Sequence, residues 1–266
     1  MNAVFKAVRI SKQAFHQRLK RKLLLQEEQE QFIPLIRKVR KDHPGMGARE
    51  MYLLIRPSLM GRDRFERYCF EQGFRLEVKY NFIKTTNSLG VTRFENHLID
   101  FKLTGVNQVW VSDITYYRIG EKFYYLTLIM DLYSRYITGF KASDNLLTEH
   151  TTLPALQVAL QMRKPKAGLI LHSDGGGQYY SKAFLALTKK WGIINSMGET
   201  VYENPHAERI NGTIKNQYLW GYKPTNLAEL KRALAKAVKM YNEERPHKAL
   251  KKLSPKVFES KLNAQL

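Results

Sequence analysis

Acid is scarce in this sequence. Of 266 residues only 24 are Asp or Glu, against 44 Lys and Arg, so the formal net charge at pH 7 is +20. That shortage excludes an ordinary acidic enzyme surface and points to a polyanionic partner. Cysteine is scarcer still. Cys69 stands alone, which excludes an internal disulfide framework and a cysteine-based zinc site and fits a reducing, intracellular compartment. Long apolar runs are missing: stretches such as 124–130 fall far short of a bilayer span. The first nine residues are mixed and basic, with no apolar segment, and do not read as a secretory signal. What is present excludes a disordered basic tail. The hydrophobic fraction is 44% and the aromatic fraction 12%, enough apolar area for one good core and a smaller domain.

The basic excess is uneven. Residues 1–105 carry 21 basic and 11 acidic side chains, residues 106–200 carry 10 and 7, and residues 201–266 carry 13 and 6. The ends hold the excess and the middle is nearly balanced, a distribution expected where flanking regions contact a phosphate backbone. The N-terminal third reads as helical. Phe15, Leu19, Leu23 and Leu24 form a stripe over 11–29, and Phe32, Ile33, Leu35, Ile36 and Val39 form another over 32–41. The cluster Asp42-His43-Pro44-Gly45-Met46-Gly47 is a turn. Short helices then follow over 48–55 and 61–72, with Arg62, Arg64 and Arg67 on the outward face of the second. This pattern suits a helix-turn-helix DNA module or, equally, a plain three-helix bundle. Residues 78–104, rich in turn formers, read as a linker.

The middle changes character. Residues 108–117 and 122–132 are rich in Val, Ile, Tyr, Phe and Thr and flank Gly120, which predicts a hairpin, and 136–142 predicts a third strand. A helix over 149–162, a short strand over 168–172, a helix over 181–191 and a strand over 193–197 follow. A meander followed by alternating helices and strands is a mixed α/β layer fold.

Three carboxylates stand out there. Asp113 interrupts an apolar strand, a costly position unless paired or metal-bound. Asp174 follows a strand at its C-terminal end, where open α/β sheets place ligands. Glu208 falls about one turn inside a helix that Asn204 would cap and Pro205 would start. Asn211 and Lys215 share its face. Asp131 competes with Asp113 by composition but reads as a turn residue, paired with Arg135. Glu203 is the nearest decoy to Glu208. Two aspartates at neighbouring strand ends and a glutamate from a packed helix supply hard oxygen ligands for Mg2+ or Mn2+. Two such ions about 4 Å apart serve in-line phosphodiester displacement. Lys215 would then contact a phosphate, and Arg209 a phosphate or a carboxylate. His172 and Gln178, flanking Asp174, are supporting candidates, with strand packing as the plainer role for His172.

Five motifs occur in order: W-V-S-D-I-T-Y (110–116), D-L-Y-S-R-Y-I-T-G-F (131–140), L-H-S-D-G-G-G-Q-Y (171–179), E-N-P-H-A-E-R-I-N-G-T-I-K (203–215), and Y-N-E-E-R-P-H-K-A-L (241–250) with L-S-P-K-V-F (253–258). Together they resemble the second open reading frame of IS-three-family insertion sequences, a D,D,E transposase with a retroviral-integrase-type catalytic core. The resemblance runs from about Gln31 to the C-terminus. It implies an RNase H-like integrase core, a mixed five-stranded sheet with flanking helices, preceded by a small all-α helix-turn-helix-like domain. It implies Asp113, Asp174 and Glu208 as the catalytic and metal-binding triad, with two Mg2+ or Mn2+ ions. By the same resemblance Lys215 is the basic residue accompanying the triad; Arg209, Asn211, Arg62, Arg64 and Arg67 are expected DNA contacts from their places in the sequence. The spacing departs from the pattern: 33 residues separate Asp174 from Glu208, slightly fewer than usual, and the shortfall lies in the 198–202 loop.

The implied domains are a helix-turn-helix-like region over 1–80, a linker over 81–105, the catalytic core over 106–222 and a C-terminal helical extension over 223–266 packed on the core. The implied reaction is metal-dependent 3′-end cleavage and strand transfer on double-stranded DNA, by a homo-oligomer on the insertion-sequence ends. It is expected in the bacterial cytoplasm, nucleoid-associated and away from membranes. The resemblance also implies a frameshift fusion with an upstream-frame product carrying a helix-turn-helix and a leucine zipper. The competing readings are a non-catalytic DNA-binding regulator and an RNase H-like nuclease without strand transfer.

Overall fold

The computed structural model describes residues 10–76, 94–198 and 204–264. Described residues within Met1–Asp42 and Met46–Val78 form one compact unit; those within His43–Gly45 and Lys79–Leu266 form a second.

The first unit is all-helical: α1 (Lys12–Asp42), α2 (Ala48–Ile55) and α3 (Arg62–Glu71). The two apolar stripes expected on separate helices lie on one continuous α1, which runs through Pro34. Its core gathers Phe32 and Ile36 of α1, Met51 of α2, and Phe65, Tyr68 and Cys69 of α3. The Tyr68 hydroxyl donates to the Gln29 carbonyl at 2.8 Å, tying α3 to α1. Arg64 and Arg67 are exposed, and the exposed Arg62 is held 2.8 Å from Asp63. Cys69 is fully buried, and burial pushes its thiol up to about 11 although Arg40 pulls the other way. The native protein should therefore resist a thiol-exchange reagent at pH 8 and react only once denaturant is added. A full burst of reaction in the native state would contradict this burial.

The second unit is built on five strands: β1 (Val109–Ile119), β2 (Lys122–Asp131), β3 (Ile137–Ser143), β4 (Ile170–Ser173) and β5 (Ile194–Met197). Their order is β3-β2-β1-β4-β5. The meander is antiparallel, while β4 and β5 run parallel to β1. The mixed five-stranded α/β fold is thus as expected. Helices α4 (Thr152–Arg163) and α5 (Lys182–Lys190) cover one face, where Trp110, Ile129, Leu156, Leu171 and Phe184 pack. The other face receives α6 (Pro205–Thr213) and α7 (Leu227–Glu243), with Val111, Leu126, Leu128, Ile210, Leu234 and Tyr241 among its core. A last helix, α8 (Pro255–Asn263), joins the second unit through a two-toothed ion pair, Glu259 with Arg163 of α4 at 2.8 Å.

Because side chains alternate along a strand, Asp113 points to the α6 face and Ser112 to the other. Part of the stretch read as a linker belongs to this unit: the Met197 amide donates to the Glu95 carbonyl and the His97 amide to Ser196 Oγ. The rest, 78–93, and residues 199–202 of the shortened 198–202 loop lie outside the described residues. No helix among the described residues is long and apolar enough to cross a membrane.

Candidate active site

Parallel pairing sets Val111 beside His172. Asp113 lies two residues further along β1 and Asp174 just past the end of β4, near enough for the Asp174 charge to act on the Asp113 carboxyl. Helix α6 packs on β1 and β2 and carries Glu208 in its first turn. Asp113 is half-buried, whereas Asp174 and Glu208 are exposed.

Asn211 bridges helix and strand, its Nδ2 donating to Asp113 Oδ2 at 2.7 Å. The Asp113 carboxyl is raised to about 7, by burial first and by Asp174 next, with Glu208 adding to both. The Ile114 amide and Asn211 pull it back only in part. Asp174, though exposed as a residue, is raised as well by partial loss of water around its carboxyl, against the Gly176 amide that its Oδ1 accepts at 3.2 Å. Lys215 is half-buried: burial lowers its ammonium while Asp113 raises it. Asp113 therefore sits in a surplus of negative charge that its hydrogen bonds offset only in part.

Other candidates fall nearby in supporting places. Asn204 was expected to cap α6, but its side chain makes no cap bond; its Nδ2 reaches 92 residues back to the Ser112 carbonyl at 3.1 Å. The Ser112 hydroxyl meets the buried Tyr179 hydroxyl at 2.8 Å, so Tyr179 is a core residue. His172 is fully buried within β4, its Nδ1 3.0 Å from Ser196 Oγ. Gln178 donates to the Leu146 carbonyl at 3.1 Å and braces the loop before α4. Asp131 is the turn residue expected: fully buried, it accepts from the amides of Asn107, Tyr133 and Ser134 and from the Ser134 hydroxyl. The Arg135 side chain instead goes to α6, its Nη1 2.9 Å from His206 Nδ1. An arginine only donates, so His206 Nδ1 accepts. Burial, Arg135 and Arg209 together push His206 down to about 4. That bond pins the first turn of α6. Arg209 beside it is exposed.

Sequence reasoning did not find Asn204 and Arg135 as braces, because their partners lie 92 and 71 residues away.

Comparison with known proteins adds the family. The Integrase core domain family matches residues 104–202, and a second family of the same description matches 192–255. The insertion element IS600 uncharacterized 31 kDa protein of Shigella sonnei is 34% identical over 208 residues, covering 76% of this chain and 76% of that protein. Transposase InsF for insertion sequence IS3A of Escherichia coli (strain K12) is 32% identical over 195 residues, covering 71% of this chain and 67% of its own length. Among solved structures, the HTLV-2 integrase catalytic core domain in complex with magnesium is 25% identical. It covers 54% of this chain and 92% of that one, at a TM-score of 0.45.

Proposed function

Because the chain belongs to the IS3-family insertion-sequence transposases and carries their integrase-type core, we propose that it cuts the 3′ ends of an insertion sequence and joins them to target DNA, with Asp113, Asp174 and Glu208 as its catalytic carboxylates. The observation that carries this reading is the charge around Asp113: burial, Asp174 and, least, Glu208 hold its carboxyl near 7.

The donor set fits divalent metal. Carboxylate oxygens suit Mg2+ and Mn2+, and an undercompensated cluster gains most from a cation. Asn211 Oδ1, beside Asp113, is buried with no hydrogen-bond partner among the described residues. As they stand, no three His, Cys, Asp or Glu side chains among the described residues are gathered closely enough to hold an ion. The reading therefore requires Glu208, an exposed member, to turn toward the aspartates on loading. Two ions bound there would activate the attacking oxygen and stabilise the leaving one.

The chain's own residues do the rest. Asn211 fixes one oxygen of Asp113, and the bonds from Asn204 and Arg135 hold α6 against the sheet. Lys215, half-buried beside Asp113, meets a phosphate of the bound strand. No covalent enzyme intermediate is needed, which leaves the tyrosines to packing. Arg62, Arg64 and Arg67 of the helical unit and Arg209 of α6 contact the duplex backbone, and two or more copies assemble on paired ends.

The deciding assay is strand transfer with Mg2+ on labelled element ends, wild type beside Asp174→Asn. Cleaved and joined products from the wild type alone support the proposal. Cleavage without joining means a nuclease, and binding without cleavage means a regulator. The basic flanks add a separate expectation: duplex affinity should fall more than about tenfold between roughly 50 and 200 mM salt. A flat salt response in a filter-binding titration would remove the phosphate role from those flanks.

A further inference from the structure

His43, Pro44 and Gly45 lie in the sequence between α1 and α2, yet their contacts place them in the catalytic unit. His43 is 1% exposed. Its Nδ1 lies 2.9 Å from the Tyr218 hydroxyl and its Nε2 3.1 Å from Glu244 Oε2. The ring meets Tyr218 edge-on, 5.7 Å between centroids. The Gly45 amide donates to the Gln217 carbonyl at 2.7 Å. A Cβ on Gly45 would fall 2.5 Å from Gln217 Cα, closer than real Cβ atoms come, so only glycine fits. Gly221 makes matching room for Pro44, whose Cγ would lie 2.5 Å from a Cβ placed there. Each of three consecutive residues thus has its own seat on the chain that follows α6.

That chain is unusual. Ile214–Leu219 is π-helix, continuing directly from α6. Such turns are rare and concentrate at functional sites. Here the Trp220 amide bonds back to the Lys215 carbonyl. Two further carbonyls of the π turn take donors from outside the helix: Gln217 from the Gly45 amide, and Leu219 from the Tyr117 hydroxyl at 3.1 Å. On one side of the turn, Asn211 is bound to Asp113. Near the end of the turn itself, Tyr218 is fully buried against His43. One residue more or less in a helix rotates everything beyond it by about 100°. Relaxation to regular α-helix would therefore break one of these two anchors or swing Lys215 away.

We infer that His43 is a positioning residue: with Gly45 it clamps the π turn through Tyr218 and so presents Lys215 beside Asp113. The inference rests on reading Asp113 and Lys215 as parts of the DNA-cutting site. It assigns a role in the reaction to a turn that the sequence shows only as a run of turn formers.

The test uses the full chain with two variants, His43→Gln and Tyr218→Phe, the second keeping the ring and losing only the hydroxyl. Both should bind element-end DNA within about twofold of wild type and cleave it about ten- to a hundredfold more slowly at saturating DNA and Mg2+. Amide exchange across 214–220 should quicken. On a Lys215→Ala background His43→Gln should cost little more, since the two act through one group. An unchanged rate, or an equal loss on both backgrounds, overturns the inference. If His43→Gln fails to fold, Tyr218→Phe decides alone. If the wild type cuts nothing, the transposase reading fails on its own, and unchanged exchange in the variants still overturns the clamp.

Discussion

Replacing Asp113 by asparagine is expected to abolish cleavage and joining while making the metal-free protein more stable at pH 8. An unfolded aspartate titrates near 4, whereas burial and the neighbouring acids raise the folded carboxyl to about 7. Between those values the folded state keeps a proton that the unfolded state has released. Stability is therefore full below about pH 4, declines as pH rises and has lost this contribution above pH 7, a change on the order of a few kcal/mol. Asparagine carries no charge, matches the volume and can still accept from Asn211. Its melting temperature at pH 8 should exceed that of the wild type, with the gap closing toward pH 4. Saturating Mn2+ should close it too, by stabilising the wild type alone. Cleavage should fall by at least about a thousandfold. A wild-type melting curve flat between pH 4 and pH 8 would refute the electrostatic half, and a variant cutting within tenfold of wild type would refute the chemical half.

The parts of this architecture legible in the sequence are those with a local signature. A charge inside an apolar strand marked Asp113, a strand end marked Asp174, and Asn-Pro before an apolar period marked the start of α6. The hairpin was readable from Gly120 between two β-rich runs, and β4 and β5 from short apolar segments bounded by turns. The braces have no such signature. Asn204 looks like a cap, and only the folded chain shows its amide on the Ser112 carbonyl. Asn211 reads as a polar residue on a DNA-facing surface, but its amide is on Asp113, 98 residues away. His43 and Tyr218 are 175 residues apart, and no pattern in either neighbourhood foretells the pair. The π turn escapes for a related reason. Its sequence is compatible with ordinary helix, and the donors that favour it come from Gly45 and Tyr117. Even α1 reads as two segments from its two apolar stripes, whereas Phe32 and Ile36 pack as parts of one helix that runs through Pro34.

Replacing Glu208 by glutamine should separate chemistry from folding most cleanly. Asp113 is half-buried and its replacement disturbs stability, but Glu208 is exposed on the first turn of α6. Exposed substitutions of this kind shift stability within about 0.5 kcal/mol. Glutamine keeps the shape and removes the charge that a divalent cation needs. The variant should melt with the wild type, bind duplex with the same salt dependence and fail to cleave, with a rate at least about a thousandfold down. Its Mn2+ affinity, read by calorimetry, should fall as well, because one of three ligands has lost its charge. Glu203 supplies the control. It precedes Asn204 and the start of α6, so Glu203→Gln should cut and join like wild type. If Glu203→Gln were dead and Glu208→Gln active, the third carboxylate would belong to the loop rather than to the helix. The clamp of His43 on the π turn would then hold Lys215 beside a site that α6 does not complete. The two variants side by side thus test whether the helix braced by Asn204, Arg135 and Asn211 is the element that finishes the active site.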